Sequence, residues 1–179
     1  MLPNPLHPSI VHFPVVLAFL LPLFVAGAIW AIRRGANARR AWMVPVAGSA
    51  ALALSAYLAV QTGGAEGQRV ERIVSEQTVE SHEEMAEGFL AGSAVIVVVA
   101  LTGLVGGVAG RVARVLTGVG AVTLVALVVR VGHSGGQLVY RYGAAAAYTS
   151  QSPRASPEGP GTELGARAAE RGYGGRDER

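Results

Sequence analysis

The 179-residue chain contains no cysteine, no lysine and only one aspartate, Asp177. Without cysteine there is no disulfide framework, no thiolate-held zinc or iron–sulfur centre and no thiol nucleophile. Without lysine, the formal charge of +3 rests entirely on arginine. The arginines are scattered over loops and a C-terminal tail, and aromatics make up only 6% of the chain. No basic stripe with interleaved aromatics exists, so nucleic acid is not an expected partner. Charge itself is scarce, 15% against 51% hydrophobic residues, and long stretches have none.

The apolar residues gather in four blocks, 10–32, 41–60, 89–109 and 112–129. Each is about 18 to 23 residues long, enough at about 1.5 Å per residue to cross a hydrocarbon core of about 30 Å. The first three carry no formal charge and the fourth only Arg114, near its start. Helices buried in a soluble protein would show a polar face at helical period, and these do not. The expected fold is all-α: a polytopic membrane protein with four transmembrane helices in an up-down bundle, surrounded by a lipid bilayer.

Arginine counts in the short loops give the expected orientation. Arg33, Arg34, Arg39 and Arg40 fill the first loop, and Arg111 and Arg114 mark a tight turn between the third and fourth spans. The loop between spans two and three carries seven glutamates against Arg69 and Arg72. Both termini are therefore expected outside, with that acidic loop. The segment before Val11 has no basic n-region, so the first block reads as an anchor rather than a cleaved signal peptide. Pro14 and Pro22 lie inside this block and leave the carbonyls of Ile10 and Ala18 without their usual partners, which predicts a kink near His12.

Small residues recur four apart, in Gly88 with Gly92, Gly103 with Gly107 and Gly106 with Gly110. Such pairs let helix backbones approach in lipid and support a tight bundle or a homodimer through glycine-rich faces. Residues 144–179 are poor in aliphatics and read as a polar tail, disordered or ordered by a partner, in which 162–171 has the pattern of one polar helix.

The four histidines, His7, His12, His82 and His133, all fall at the same membrane face when the topology is traced. Val70, Val74, Thr78, His82, Met85 and Phe89 recur at spacings of three or four, the seam of an amphipathic acidic helix over about 68–88 that runs into span three. His12 lies within an uncharged span, where ionisable groups usually face a bundle interior. His133 is bracketed by Gly132, Gly135 and Gly136, and His7 precedes Pro8, which suits a first helical turn. Neutral imidazole suits haem iron, zinc and copper. His12, His82 and His133, with His7 auxiliary, are therefore candidate ligands of a metal or haem, and Arg130 and Arg141 are candidate partners of haem propionates. The plainer reading has the same histidines anchoring the bundle through hydrogen bonds. The stretch His82-Glu83-Glu84-Met85-Ala86 lacks the second histidine of a zinc-protease helix.

Gly132-His133-Ser134-Gly135-Gly136 matches the G-x-S-x-G nucleophile elbow. That motif follows a strand, and the acid and histidine of its triad follow the serine along the chain. Here no histidine follows Ser134, and the preceding apolar run has helix length. A hydrolase is not expected.

Leu6-His7-Pro8, Val11-His12-Phe13-Pro14, Thr62-Gly63, His82-Glu83 and the run Gly132 to Tyr140 resemble the bacterial membrane proteins grouped as domain of unknown function 2231. The resemblance covers residues 2–143. In relatives the last motif often continues to a histidine and a glycine, where this chain has Tyr142-Gly143. The resemblance implies a multi-pass protein of the bacterial inner (cytoplasmic) membrane. Relatives fused to cytochrome-type domains lean the metal reading toward haem b serving electron transfer. The competing expectation is a non-catalytic accessory subunit of a larger membrane complex.

Overall fold

In a computed structural model that describes residues 6–149, the described chain consists of helices α1 (His7–Ile10), α2 (His12–Arg33), α3 (Ala38–Val70), α4 (Glu76–Thr102), α5 (Gly107–Tyr140) and α6 (Ala146–Thr149). The helices α2 to α5, with α1 continuing α2 at its start, are long and apolar enough to cross a membrane. Each packs on its neighbours in sequence, and α5 closes the ring on α2. The result is the four-helix up-down bundle expected from the apolar blocks. Large apolar side chains such as Phe13, Phe19, Leu23, Val98, Val119 and Val122 point outward, as a lipid-facing surface requires.

The interior forms three layers. Ala18, Leu21, Leu52, Ala56, Ile96 and Leu124 fill the middle. Val25, Ala28, Trp42, Val46 and Ala100 fill the end nearest the arginine-rich loop, and Val74, Val79, Leu138 and Ala144 the opposite end. Buried hydroxyls bond back into their own helices: Ser49 to the Val46 carbonyl, Ser93 to Phe89 and Thr117 to Ala113. The small residues serve the bundle itself. A Cβ on Gly48 would lie 2.9 Å from the Phe24 ring and one on Gly92 3.2 Å from Leu124, while one on Gly120 would collide with Ile96. Gly103, Gly106, Gly107 and Gly110 instead build the α4–α5 connection.

That connection lies earlier than the sequence pattern predicts. Helix α4 stops at Thr102, inside the expected third span of 89–109, and the turn is made by residues 103–106. Apolar Leu104 and Val105 hide it in a hydropathy reading, whereas Gly107, with φ of 74°, gives the left-handed backbone the turn needs. Arg111 and Arg114 therefore belong to the first turns of α5 rather than to a loop. Arg114 donates from Nε to the Gly103 carbonyl at 2.9 Å and stacks over Trp42 at 5.7 Å. Trp42 in turn donates from Nε1 to the Ala100 carbonyl at 2.9 Å. The cation thus sits on the unpaired carbonyl end of α4, where the helix dipole favours it.

The other correction concerns the acidic loop. The single helix expected over about 68–88 is two pieces: α3 continues to Val70, residues 71–75 turn, and α4 starts at Glu76. The apolar seam holds across the break, because Val74 and Val79 both bury against Leu138, but the chain reverses direction between them. At about 1.5 Å per residue, the 33 residues of α3 span roughly 50 Å, well beyond a hydrocarbon core of about 30 Å. The ends of α3, α4 and α5 at this side therefore project from the apolar belt. Near His12 the helix is interrupted only at Val11, between α1 and α2, where the backbone keeps right-handed helical angles of φ −59° and ψ −21°, and Pro22 lies within a continuous helix.

The Trp42 indole leaves no room at Gly103, where a Cβ would collide with it. Gly103→Val should destabilise the bundle by about 1–3 kcal/mol, measured by reversible unfolding in mixed micelles. An unchanged midpoint would contradict this packing.

Candidate functional site

The projecting end holds two histidines that reach across the bundle. His7 opens α1, with Pro8 next to it in the first helical turn. Its Nδ1 lies 2.9 Å from the Ala59 carbonyl and 3.4 Å from Thr62 Oγ1, both on α3. The ring rests on Gly63, where a Cβ would stand 3.0 Å from His7 Cε1. His82 makes the same kind of contact between α4 and α5. Its Nδ1 lies 2.7 Å from Ser134 Oγ, and the ring covers Gly135, where a Cβ would be 3.2 Å from His82 Cε1. Each histidine therefore docks on a glycine of another helix and is held through Nδ1 by a polar group one turn or less away.

These bonds fix the tautomers. A carbonyl only accepts, so His7 donates from Nδ1 to Ala59 and its neutral ring offers a lone pair at Nε2. Ser134 gives its one hydroxyl proton to the Val131 carbonyl at 2.8 Å, which leaves Oγ to accept from His82 Nδ1. His82 Nε2 is then also an acceptor.

Two cavities flank this pair, of about 410 Å3 and about 470 Å3. His7, Pro8, His82, Gly135 and Val139 line both and form their common wall. The first is completed by apolar groups including Val70, Val79 and Leu138, with Glu66, Glu83 and Tyr148 as its further polar side chains. The second opens toward His12, Phe89, Val128 and Val131.

Two of the histidines predicted as ligands stand apart from this pair. His12 is exposed and lines only the second cavity. His133 is exposed and its Nε2 lies 3.1 Å from Gln137 Nε2 one turn along α5. The glycines around His133 lie within α5, and one of them, Gly135, receives the His82 ring. Arg130 and Arg141 are exposed, and Arg141 stacks over Tyr142 at 5.7 Å. Among the described residues no three His, Cys, Asp or Glu side chains come close enough to hold a metal ion. The G-x-S-x-G serine does meet a histidine, and it comes from upstream in the chain. Ser134 nevertheless lies inside α5, whose backbone N–H groups are committed to helical bonds, so no oxyanion hole faces it.

The sequence gives no warning of Glu66. Its Oε1 accepts from the Leu6 and His7 amides at 2.7 and 3.2 Å, and its Oε2 accepts from the Tyr148 hydroxyl at 2.8 Å. One carboxylate of α3 therefore caps α1 and ties down the segment after α5. That segment corrects the reading of 144–179 as tail throughout. Gly143, with φ of 74°, turns the chain back, and the Ala144 amide returns to the Leu138 carbonyl at 3.0 Å. Ala144 and Ala147 bury and Tyr148 closes one side of the first cavity, its ring 5.7 Å from the Arg69 guanidinium. The remainder of the predicted tail, with its polar helix over 162–171, lies outside the described residues.

Burial and the Glu66 carboxylate push the Tyr148 phenol up to about 12. A phenol raised above its unfolded value near 10 stabilises the fold below that value and loses the contribution as pH rises through the folded one. Ultraviolet difference titration of the native chain against Tyr148→Phe should reveal one phenol ionising near 12, and a midpoint near 10 would contradict the bond to Glu66. The absence of cysteine permits a second check. Val79→Cys places one thiol in the first cavity wall, and Tyr148→Phe should speed its maleimide labelling at least severalfold. Equal rates would show that Tyr148 does not close the cavity.

No curated protein and no solved structure shows significant similarity to the chain. A family model described as "Predicted membrane protein (DUF2231)" matches residues 3–147, a range that contains both histidine docks, both glycine seats and Glu66 and stops one residue short of Tyr148. The chain belongs to this family of predicted membrane proteins.

Proposed function

We propose that this multi-pass membrane protein binds one small, largely apolar molecule at the histidine end of its bundle, against His7 and His82. The observation that carries the reading is the wall these two residues share between two mostly apolar cavities of about 410 and 470 Å3. Ligand sites are typically about 300–1,000 Å3, apolar, and furnished with a few placed polar groups. The imidazoles supply such groups, and their Nδ1 bonds hold the rings still. The arginines at the opposite end of the bundle support an extracytoplasmic position for this site in a bacterial cytoplasmic membrane.

A haem b or metal centre for electron transfer fits these residues poorly. His12 and His133 are exposed, among the described residues no group of three His, Cys, Asp or Glu side chains could hold a metal ion, and Glu66 and Glu83 line the first cavity, where they would repel haem propionates. The spectrum of the purified protein tests this directly, because a Soret band that moves on reduction would restore the haem reading. Native mass spectrometry from nanodiscs tests the binding reading. A retained small-molecule adduct, lost in His82→Leu, is expected. A native chain that carries none would contradict binding and leave the packing role of an accessory subunit.

A further inference from the structure

We infer that the molecule held in the first cavity carries an ammonium group on an apolar body. This inference rests on the binding reading above and narrows it to one chemical class.

The polar inventory of the first cavity is one-sided. Five polar side chains line it: His7, Glu66, His82, Glu83 and Tyr148. His7 and His82 both commit Nδ1 to a protein acceptor, so in the neutral form each ring carries its lone pair on Nε2. Glu66 and Glu83 are carboxylates and accept only when ionised. Tyr148 is the one donor, and its hydroxyl already bonds to Glu66. The glycines of the wall lie in helices α3 and α5, so their amides are engaged in the backbone ladder. A ligand that arrives with acceptors, such as a carboxylate, a phosphate or a carbonyl, finds no free side-chain donor on this wall and meets two like charges. A ligand that arrives with donors finds several acceptors.

Charge selects among donors. The cavity wall holds two carboxylates and no arginine. Arg69 is near, stacked on the Tyr148 ring at 5.7 Å, but it does not line the space. Glu83 sits close against α3, since a Cβ on Gly67 would come within 2.7 Å of its Oε1. Any larger residue at Gly67 would displace that carboxylate. Val70, Val79 and Leu138 supply the apolar walls that an alkyl or ring body requires. An ammonium group offers up to three donors and one positive charge, which matches both needs. Hydrogen bonds to charged groups are worth roughly twice neutral ones.

The test compares three rigid probes of one shape, 1-aminoadamantane, 1-adamantanol and 1-adamantanecarboxylate, by titration calorimetry on the full chain in nanodiscs. The ammonium form should bind at least about tenfold more tightly than the carboxylate, with the alcohol between them. Glu83→Gln should remove most of that preference, whereas His12→Ala, outside the first cavity, should leave it. Ala145→Trp, at the exposed rim, should block all three and control for a fold disturbed by Glu83→Gln. Carboxylate or alcohol binding as tight as the ammonium would overturn the inference while leaving the binding reading intact. Failure of all three probes to bind the native chain would overturn both.

Discussion

Two hydrogen bonds from imidazole Nδ1 atoms hold the histidine end of this protein together. His7 reaches from α1 to the Ala59 carbonyl of α3, and His82 reaches from α4 to Ser134 of α5. In each case the ring needs a glycine beneath it. Gly63 and Gly135 provide the seats, and a Cβ at either would crowd the ring. Close approach at the glycines and these polar bonds fasten the helices to one another at this end. The same bonds turn both Nε2 lone pairs into the fixed polar groups of the cavity wall. Structure and site chemistry therefore share one cause.

The bundle meets the demand that polar groups be satisfied in different ways along its length. Within the apolar belt, Ser49, Ser93 and Thr117 bond to carbonyls of their own helices and contribute little between helices. At the arginine end, Arg114 and Trp42 take up the carbonyls of Gly103 and Ala100 at the end of α4. At the histidine end, Glu66 caps α1 and holds Tyr148. Among the described residues no buried side-chain nitrogen or oxygen lacks a partner. At the histidine end the closure leaves space, a mostly apolar cavity with acceptors on its wall.

Hydropathy made the four helices legible, because blocks of apolar residues without a polar face have few alternatives. The motif residues stand out in the sequence, but their pairing does not. His12 and His133 read as the better ligands because one lies in an apolar span and the other among glycines. The structure exposes both and uses the Gly135 face for His82. Nothing in a one-dimensional pattern says that a glycine on α5 is the seat of a histidine about fifty residues earlier or that Glu66 will meet Tyr148. The break at residues 71–75 escaped for a related reason, since the spacing of Val74 and Val79 stays compatible with one helix while the chain turns. Arg111 and Arg114 misled in the opposite sense: charge pointed to a loop, and two glycines had already made the turn.

His7 and His82 are pinned through Nδ1, and their rings line both cavities. Nitrogen-15 NMR of histidine-labelled protein tests this pinning most directly, with only four rings to assign and single His→Gln variants to assign them. At pH above 8, where unperturbed histidine is neutral, the account predicts that His7 and His82 each give a protonated Nδ1 and an unprotonated Nε2. Resonances from the Nε2–H tautomer, or rings exchanging freely between the two forms, would contradict it.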